Sequence, residues 1–475
     1  MKPLIRALHL SYLISLATLL GLSACGGNKG SSASASASTP AVTLVSISVT
    51  PNNATIALGL SQTFSATGTY SDGSTAAITK DIAWTSGGAI SSITPTTGIA
   101  TSKTIGSDTI TATVGKISGT TKLNIQGPFL GISTGGSHSV ALKASGTLWS
   151  AGLNRSGQLG DGTATDRYEL TNIGTVTTWT NIASGEFHTV AIRADASLWT
   201  WGFNQNGQLG DGSFVDKTSP TKIGSGTWAS IAAGKSHTLG VKKDGTLWAW
   251  GRNFNGQLGD GTQIDRVEPV QIGTVKTWTA VVAGANHSLA RRSDGSIWGW
   301  GSNSNGQTGT GPAINVLNPT QIGTATWIYL AAGATHSLGI RSDGALFSWG
   351  ANADGQLGIG LGSDRLNPSQ VGTQTNWISL AAGSRHSLAL KNDGSLWSWG
   401  ANSEGQLGTG SNASTASPIM VGDGKNWKTI SAGYYHNMAI KTDGGLWVWG
   451  RNLEGQLGDG KRSTLFSPAA LPNLP

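Results

Sequence analysis

From residue 129 onward the chain is written in short runs of alternating apolar and polar residues, and the same order of runs returns every 49 or 50 residues. One period reads W-x-x-I-A-A-G, then x-x-H-S-L-A-L-K, then an Asp-Gly pair, L-W-x-W-G-x-N, G-Q-L-G and a variable stretch ending near P-x-x-I-G. Alternation with a period of two marks strands with one covered face, and runs this short between glycines have the length of strands rather than helices. Asp244-Gly245, Asp294-Gly295, Asp343-Gly344, Asp393-Gly394 and Asp443-Gly444 each separate two apolar runs, a strong hairpin signal. About four short strands per unit, repeated radially, predict a β-propeller. The units are counted by His138, His188, His237, His287, His336, His386 and His436, and by seven Gly-Gln-Leu-Gly segments, one with Thr308 for Leu. Seven blades follow. The first unit starts without a P-x-x-I-G strand, and the last ends in Ser467-Pro468-Ala469-Ala470-Leu471. The terminal strand is therefore expected to join the N-terminal blade and latch the ring, leaving no open edge.

Residues 41–126 carry a different alternation, in VSISVTP, QTFSATGTY, IAWTS and TITATVG, separated by turn signals. Tyr70-Ser71-Asp72-Gly73-Ser74, Trp84-Thr85-Ser86, Gly98-Ile99-Ala100 and Thr109-Ile110-Thr111-Ala112 resemble the group-2 bacterial immunoglobulin-like domain. That resemblance implies a small β-sandwich, with Trp84 in its core and the role of a spacer. The fold class is thus all-β: an N-terminal immunoglobulin-like β-sandwich followed by a seven-bladed propeller over residues 127–475.

Ahead of both modules, Lys2 and Arg6 precede an apolar run, Ala7 to Leu22, that is short for a membrane span and suits a signal peptide. It ends in Leu22-Ser23-Ala24-Cys25, which resembles the bacterial lipobox, and Cys25 is the one cysteine of the chain. The expectation is a cleaved leader over residues 1–24, lipidation of Cys25, and a flexible Gly/Ser/Ala tether over residues 25–40. Gly26 stands where an Asp would retain a lipoprotein in the inner membrane, which favours the outer membrane. The exported chain then folds on packing alone, since no second cysteine is present for a disulfide.

Composition narrows the functional classes. Glycine is 70 of 475 residues, charged residues are 12%, and 19 Trp stand beside 3 Met, as suits β-structure with many tight turns. The net charge is +7, but from Gly127 on there are 24 Lys and Arg against 21 Asp and Glu, with no dense basic run. A nucleic-acid footprint needs such a run, so no nucleic-acid partner is expected. No H-E-x-x-H or G-x-S-x-G is present, and six His-Ser or His-Thr pairs in equivalent places read as a strand motif rather than six dyads. Equivalent histidines one per blade read as buried hydrogen-bonding groups serving the backbone, not metal ligands. Asp161, Asp211, Asp260 and Asp459 read as turn residues rather than calcium ligands. No cofactor, no metal and no catalytic residue is assigned.

Gly-x-x-His-Ser, Trp-x-Trp-Gly-x-Asn and Gly-Gln-Leu-Gly together resemble the regulator of chromosome condensation repeat, across all seven units. The resemblance implies a propeller. The family prototype is an exchange factor for a nuclear GTPase that binds chromatin, partners an exported chain does not meet. A plant member senses ultraviolet light through Gly-Trp-Arg-His-Thr, and no Gly-x-x-His here carries Trp-Arg. A secreted bacterial member inhibits β-lactamases through one ring face, and it implies binding without catalysis. Function should then lie where the blades differ. Blade one departs at Ala151, where later units have a second Trp, and at Phe129, where they have a leading Trp. Around the invariant histidine and asparagine, Phe187, Arg252, Phe254, Arg385, Tyr434 and Tyr435 are the candidate binding residues, as aromatic and Arg side chains dominate protein-recognition surfaces. The expected function is a lipid-anchored, non-catalytic module binding an envelope or extracellular protein. A glycan-binding or glycan-processing propeller and a passive surface element are the alternatives.

Overall fold

The computed structural model describes residues 41–471, so the leader, Cys25 and the tether lie outside the described residues. Strands Leu44–Thr50, Ser65–Tyr70 and Thr75–Ile78 form one sheet of the first module; Ala54–Ala57, Ile117–Gln126, Gly106–Val114 and Ala83–Thr85 form a second. Three short strands make a small third sheet. Along Gly106–Val114 the buried positions fall at Asp108, Ile110 and Ala112, the period of two that the sequence carries. Their apolar members pack with Phe64, Trp84, Leu123 and Ile125 in one core. Asp108 sits in that buried row because Gly87 N, Ser91 N, Ser91 Oγ and Thr109 N all donate to its carboxylate.

Seven four-stranded antiparallel sheets follow, each with its strands in chain order. Blade three shows the plan: Trp228–Ala233, His237–Lys242, Leu247–Gly251 and Arg266–Gln271. Its second and third strands meet at Asp244-Gly245, where Gly245 has φ +79° and Asp244 accepts Thr246 N and Oγ1. Second strands are buried almost throughout, while fourth strands alternate half-buried and exposed residues at the rim. The propeller core is not one cluster but seven, each shared by two consecutive blades. Between blades one and two, for example, Val140, Leu142, Leu148 and Ile173 meet Trp179, Ala191 and Trp201. The second Trp of each Trp-x-Trp pair is the fully buried one, as at Trp201, Trp250 and Trp300. The first stays half-buried, with a Lys or Arg of the neighbouring strand lying over its ring, as Lys242 does 3.4 Å from Trp248.

Ring closure corrects the sequence reading. The terminal strand Leu465–Ala470 pairs with Leu446–Gly450 of its own blade, not with the N-terminal blade. Blade one already owns a fourth strand, Arg167–Asn172. That strand was hidden because Leu170 stands where the other six units have Pro220, Pro269, Pro319, Pro368, Pro418 and Pro468. Leu170 also answers the loss of Trp at Ala151: it is buried beside Ala151, Leu457 and Val448, filling the place the indole takes elsewhere. The seventh and first blades are then joined like any other pair, by that cluster and by Ser431 Oγ against Thr134.

Candidate functional site

The invariant residues form a closed relay around the ring. His237 Nε2 lies 3.0 Å from Ser288 Oγ of the next blade, and Ser288 Oγ donates to Gln257 O at 2.7 Å. Because the hydroxyl proton goes to the carbonyl, Nε2 must carry the imidazole proton and donate. The same pair of bonds runs from His138 to Thr189 and Gln158, and closes the circle from His436 to Ser139 and Gln456. In blade seven Asn437 replaces the hydroxyl, with Oδ1 accepting from His386 and Nδ2 donating to Gln406 O. The histidines therefore reach the backbone through a neighbour's side chain rather than directly, as the sequence reading had it. Burial pushes all seven down, to about 3 or 4, so they are neutral. Among the described residues no cluster of His, Asp and Glu is arranged to hold a metal ion.

The glycine before each histidine has a geometric reason. A Cβ on Gly234, Gly284 or Gly433 would come within 2.6 Å or less of the corresponding glycine carbonyl of the next blade, which here is Gly284, Gly333 and Gly135 in turn. Seven such contacts close the narrow neck of the channel. Each third–fourth loop is knotted by its asparagine: Asn253 Nδ2 donates to Asp260 and to Thr262 O, and its Oδ1 accepts Leu258 N. Asp161 and Asp260 also accept a hydroxyl and a guanidinium from Thr163 and Arg167, or Thr262 and Arg266. These acids are consumed within their own loops.

In an antiparallel blade the first–second and third–fourth connections share one end, so all six candidate residues stand on one face. The two loops are stitched together there, as by Phe203 N to Phe187 O, Arg252 N to Ser236 O and Arg451 N to Tyr435 O. Phe187, Arg252, Phe254 occupy blades two and three; Arg385, Tyr434 and Tyr435 occupy blades six and seven. Phe254 and Arg385 are exposed, the latter with Asp354 at 3.4 Å. Arg252 is half-buried, and so are Phe187, edge-on to Phe203, and Tyr434 and Tyr435, edge-on to each other. Tyr434 is set apart from Tyr435 by facing the channel. The residues after five of the seven neck glycines line a mouth of about 70 Å³: Glu186, Lys235, Ala285, Ala334 and Tyr434. Burial raises the Glu186 carboxyl, against the pull of Lys235 at 3.2 Å, and burial raises the Tyr434 hydroxyl.

A second feature of this face was not singled out in the sequence. Large apolar side chains stand exposed on the third–fourth loops of four consecutive blades: Phe214 (55%) and Val215 (62%), Phe254 (65%) and Ile264 (62%), Ile314 (78%), and Leu361 (76%). The loop tips of blades six and one carry Asn412 and Ala164 instead, and the loop of blade seven carries Lys461 and Arg462 at its tip with Leu453, 44% exposed, at its start. The most exposed apolar side chains of this face therefore gather on blades two to five. These loops keep a constant length between the asparagine and the fourth strand in six of the seven blades, but the residue types at their tips differ from unit to unit, so apart from Phe254 the repeat pattern does not mark them.

Sequence and structure comparisons agree with this architecture. The RCC1-like domain profile matches residues 224–474, just over half of the chain. The chain belongs to that family. Regulator of chromosome condensation (RCC1) repeats match this RCC1-like chain at residues 195–241, and at 130–158 and 170–208. The bacterial Ig-like domain (group 2) matches residues 43–125. Prp20p from Saccharomyces cerevisiae, solved with an account of its binding to Gsp1p and histones, superposes with a TM-score of 0.64 at 23% identity, over 70% of this chain and 87% of that one. Human WBSCR16 gives 0.62 at 22%, over 69% and 93%. At these identities the likeness is one of fold. Ice-binding protein 1 of Shewanella frigidimarina (strain NCIMB 400) is 34% identical over 143 residues, which are 29% of this chain. The chain spans only 15% of that relative's length.

Proposed function

We propose that this chain is a non-catalytic binding module of the bacterial envelope, and that it engages a protein partner with the loop face of its propeller. The observation that carries the reading is the arc of Phe214, Val215, Phe254, Ile264, Ile314 and Leu361 on blades two to five. Large apolar side chains raised on loops gain nothing in water, whereas a partner that covers them gains on the order of 1–2 kcal/mol for each one. The frame beneath is rigid, since each loop is knotted by its asparagine and each blade is keyed to the next by the histidine relay, and preorganisation lowers the cost of binding. Phe187, Arg252, Arg385, Tyr434 and Tyr435 belong to the same face and flank the arc as polar and aromatic contacts. In this reading Cys25 carries the lipid, residues 26–40 act as a tether, and the Ig-like module spaces the propeller from the outer membrane.

The test is affinity capture from envelope extract, with the full chain compared with a variant carrying Phe214→Ser, Phe254→Ser, Ile264→Ser and Ile314→Ser. The reading requires a protein that the native chain retains and the variant loses, while both keep the same unfolding midpoint. Equal capture by both would move the site off this arc, and no retained protein at all would contradict the binding role.

A further inference from the structure

Seven cations end the second strands, and six of them are followed two residues later by an aspartate, as Lys391 is by Asp393 and Lys441 by Asp443. Blade one breaks the rule. Lys143 is followed by Ala144-Ser145-Gly146, so no carboxylate stands at its turn. Lys143 is 8% exposed, with Nζ 4.0 Å from the Trp149 ring and 5.7 Å from that of Phe129. It also lines an open cavity of about 560 Å³ at the Asp-Gly end of the ring, with Leu130, Ile132, Trp179, Asn181 and Thr429. An amine held in an apolar setting without an ion-pair partner is the arrangement that turns a lysine into a nucleophile. The loop-face reading does not use this residue.

We propose that Lys143 is an acyl-acceptor site, whose amine takes an acyl group from an activated donor, an acyl phosphate or thioester, entering through this cavity. The neutral Nζ attacks the carbonyl carbon, an N–C bond forms, and the bond to the phosphate or thiolate breaks with its electron pair. The proton left on nitrogen passes to water, and the product is a neutral amide on Lys143. Burial is the sole cause that draws the amine down, to about 8. Lys391 is also drawn down by burial, but Asp393 pulls it back. The Trp149 ring favours the ammonium form; Lys242 and Lys391 carry the same ring contact, so comparison among them leaves the deeper burial of the Lys143 amine and its missing turn carboxylate as the differences. At pH 7.5 an amine titrating near 8 holds about 200-fold more neutral form than an ordinary lysine.

The full chain is treated with acetyl phosphate and, separately, with N-hydroxysuccinimidyl acetate from pH 6.5 to 9, and acetylation is read lysine by lysine by peptide mass spectrometry. Lys143 should react at least about 10-fold faster than Lys391 at pH 7.5, with a rate that levels off above pH 8. Ser145→Asp, which installs the residue six other blades carry at this turn, should bring Lys143 down to the rate of Lys391 without changing the circular dichroism. Lys143 reacting no faster than Lys391, or a rate untouched by Ser145→Asp, would overturn the proposal.

Discussion

Lowering the pH from 7.5 to 5 should unfold the propeller, and the histidine relay sets how steeply. Each of the seven histidines is neutral in the fold, titrating at about 3 or 4, against about 6.5 when the chain is unfolded. Below pH 6.5 the unfolded chain takes up protons that the folded chain refuses, so stability is complete above that pH and falls as the pH drops toward the folded values. At pH 5 each histidine costs about 2 kcal/mol by this linkage, so the seven together cost about 14 kcal/mol. Domains are stable by only about 5–15 kcal/mol, so the ring should be lost near pH 5. Carboxylates do not mimic this. Asp161 and Asp260 are held below the usual range by Thr and Arg partners, so their contribution is lost only at lower pH, and Glu186, raised by burial, works in the opposite sense. Urea melts followed by Trp fluorescence from pH 7.5 to 5 should show a limiting slope of about 9.5 kcal/mol per pH unit for seven protons. His287→Gln keeps a donor for Ser337 Oγ but does not titrate, and should reduce that slope by about 1.4 kcal/mol per pH unit. A melt that is flat between pH 6.5 and 5, or a slope corresponding to one or two protons, would falsify the relay as described.

The neck makes a sharper mutational demand: Gly284→Ala drives a methyl against the Gly333 carbonyl and the His287 ring, and should destabilise by about 3 kcal/mol or more in chemical denaturation. Ala151→Trp should be destabilising alone, because Leu170 holds the space, and should be rescued by Leu170→Pro; a double-mutant cycle should give a coupling of about 1–3 kcal/mol. Asn253→Ala removes the knot of one loop and strands Leu258 N, so it should cost about 2–4 kcal/mol, with hydrogen exchange rising first over residues 253–265.

Much of this architecture could be read from one chain because seven copies expose what all blades share. The period, the hairpin pairs, the glycine before histidine and the Trp-x-Trp packing all follow from local pattern, and each has its counterpart in a contact. The closing strand was misread for a local reason as well: Leu170 in place of Pro disguised the outer strand of blade one, and only the paired registers of Trp149 with Asn172 and Trp447 with Ala470 reveal that each blade is complete in itself. The relay partner of six histidines lies about 50 residues on, and that of His436 lies 297 residues back at Ser139, distances at which no spacing rule operates until the blades are placed side by side. The candidate face was found by residue type, which picked out Phe254 and Arg385 but also the half-buried Phe187 and Tyr435, whose position sits beneath the third–fourth loop. Phe214, Ile314 and Leu361 escaped because exposure of a loop tip is a property of the folded ring, not of the repeat.

The binding role of the loop face is tested most directly by placing a photo-crosslinking residue at Phe254 or Ile314, and at Lys243 on the opposite end of the blades, in the full chain expressed in cells. The account predicts a discrete protein adduct from positions 254 and 314 and none from 243. Adducts from 243 alone, or none from either loop position, would contradict it.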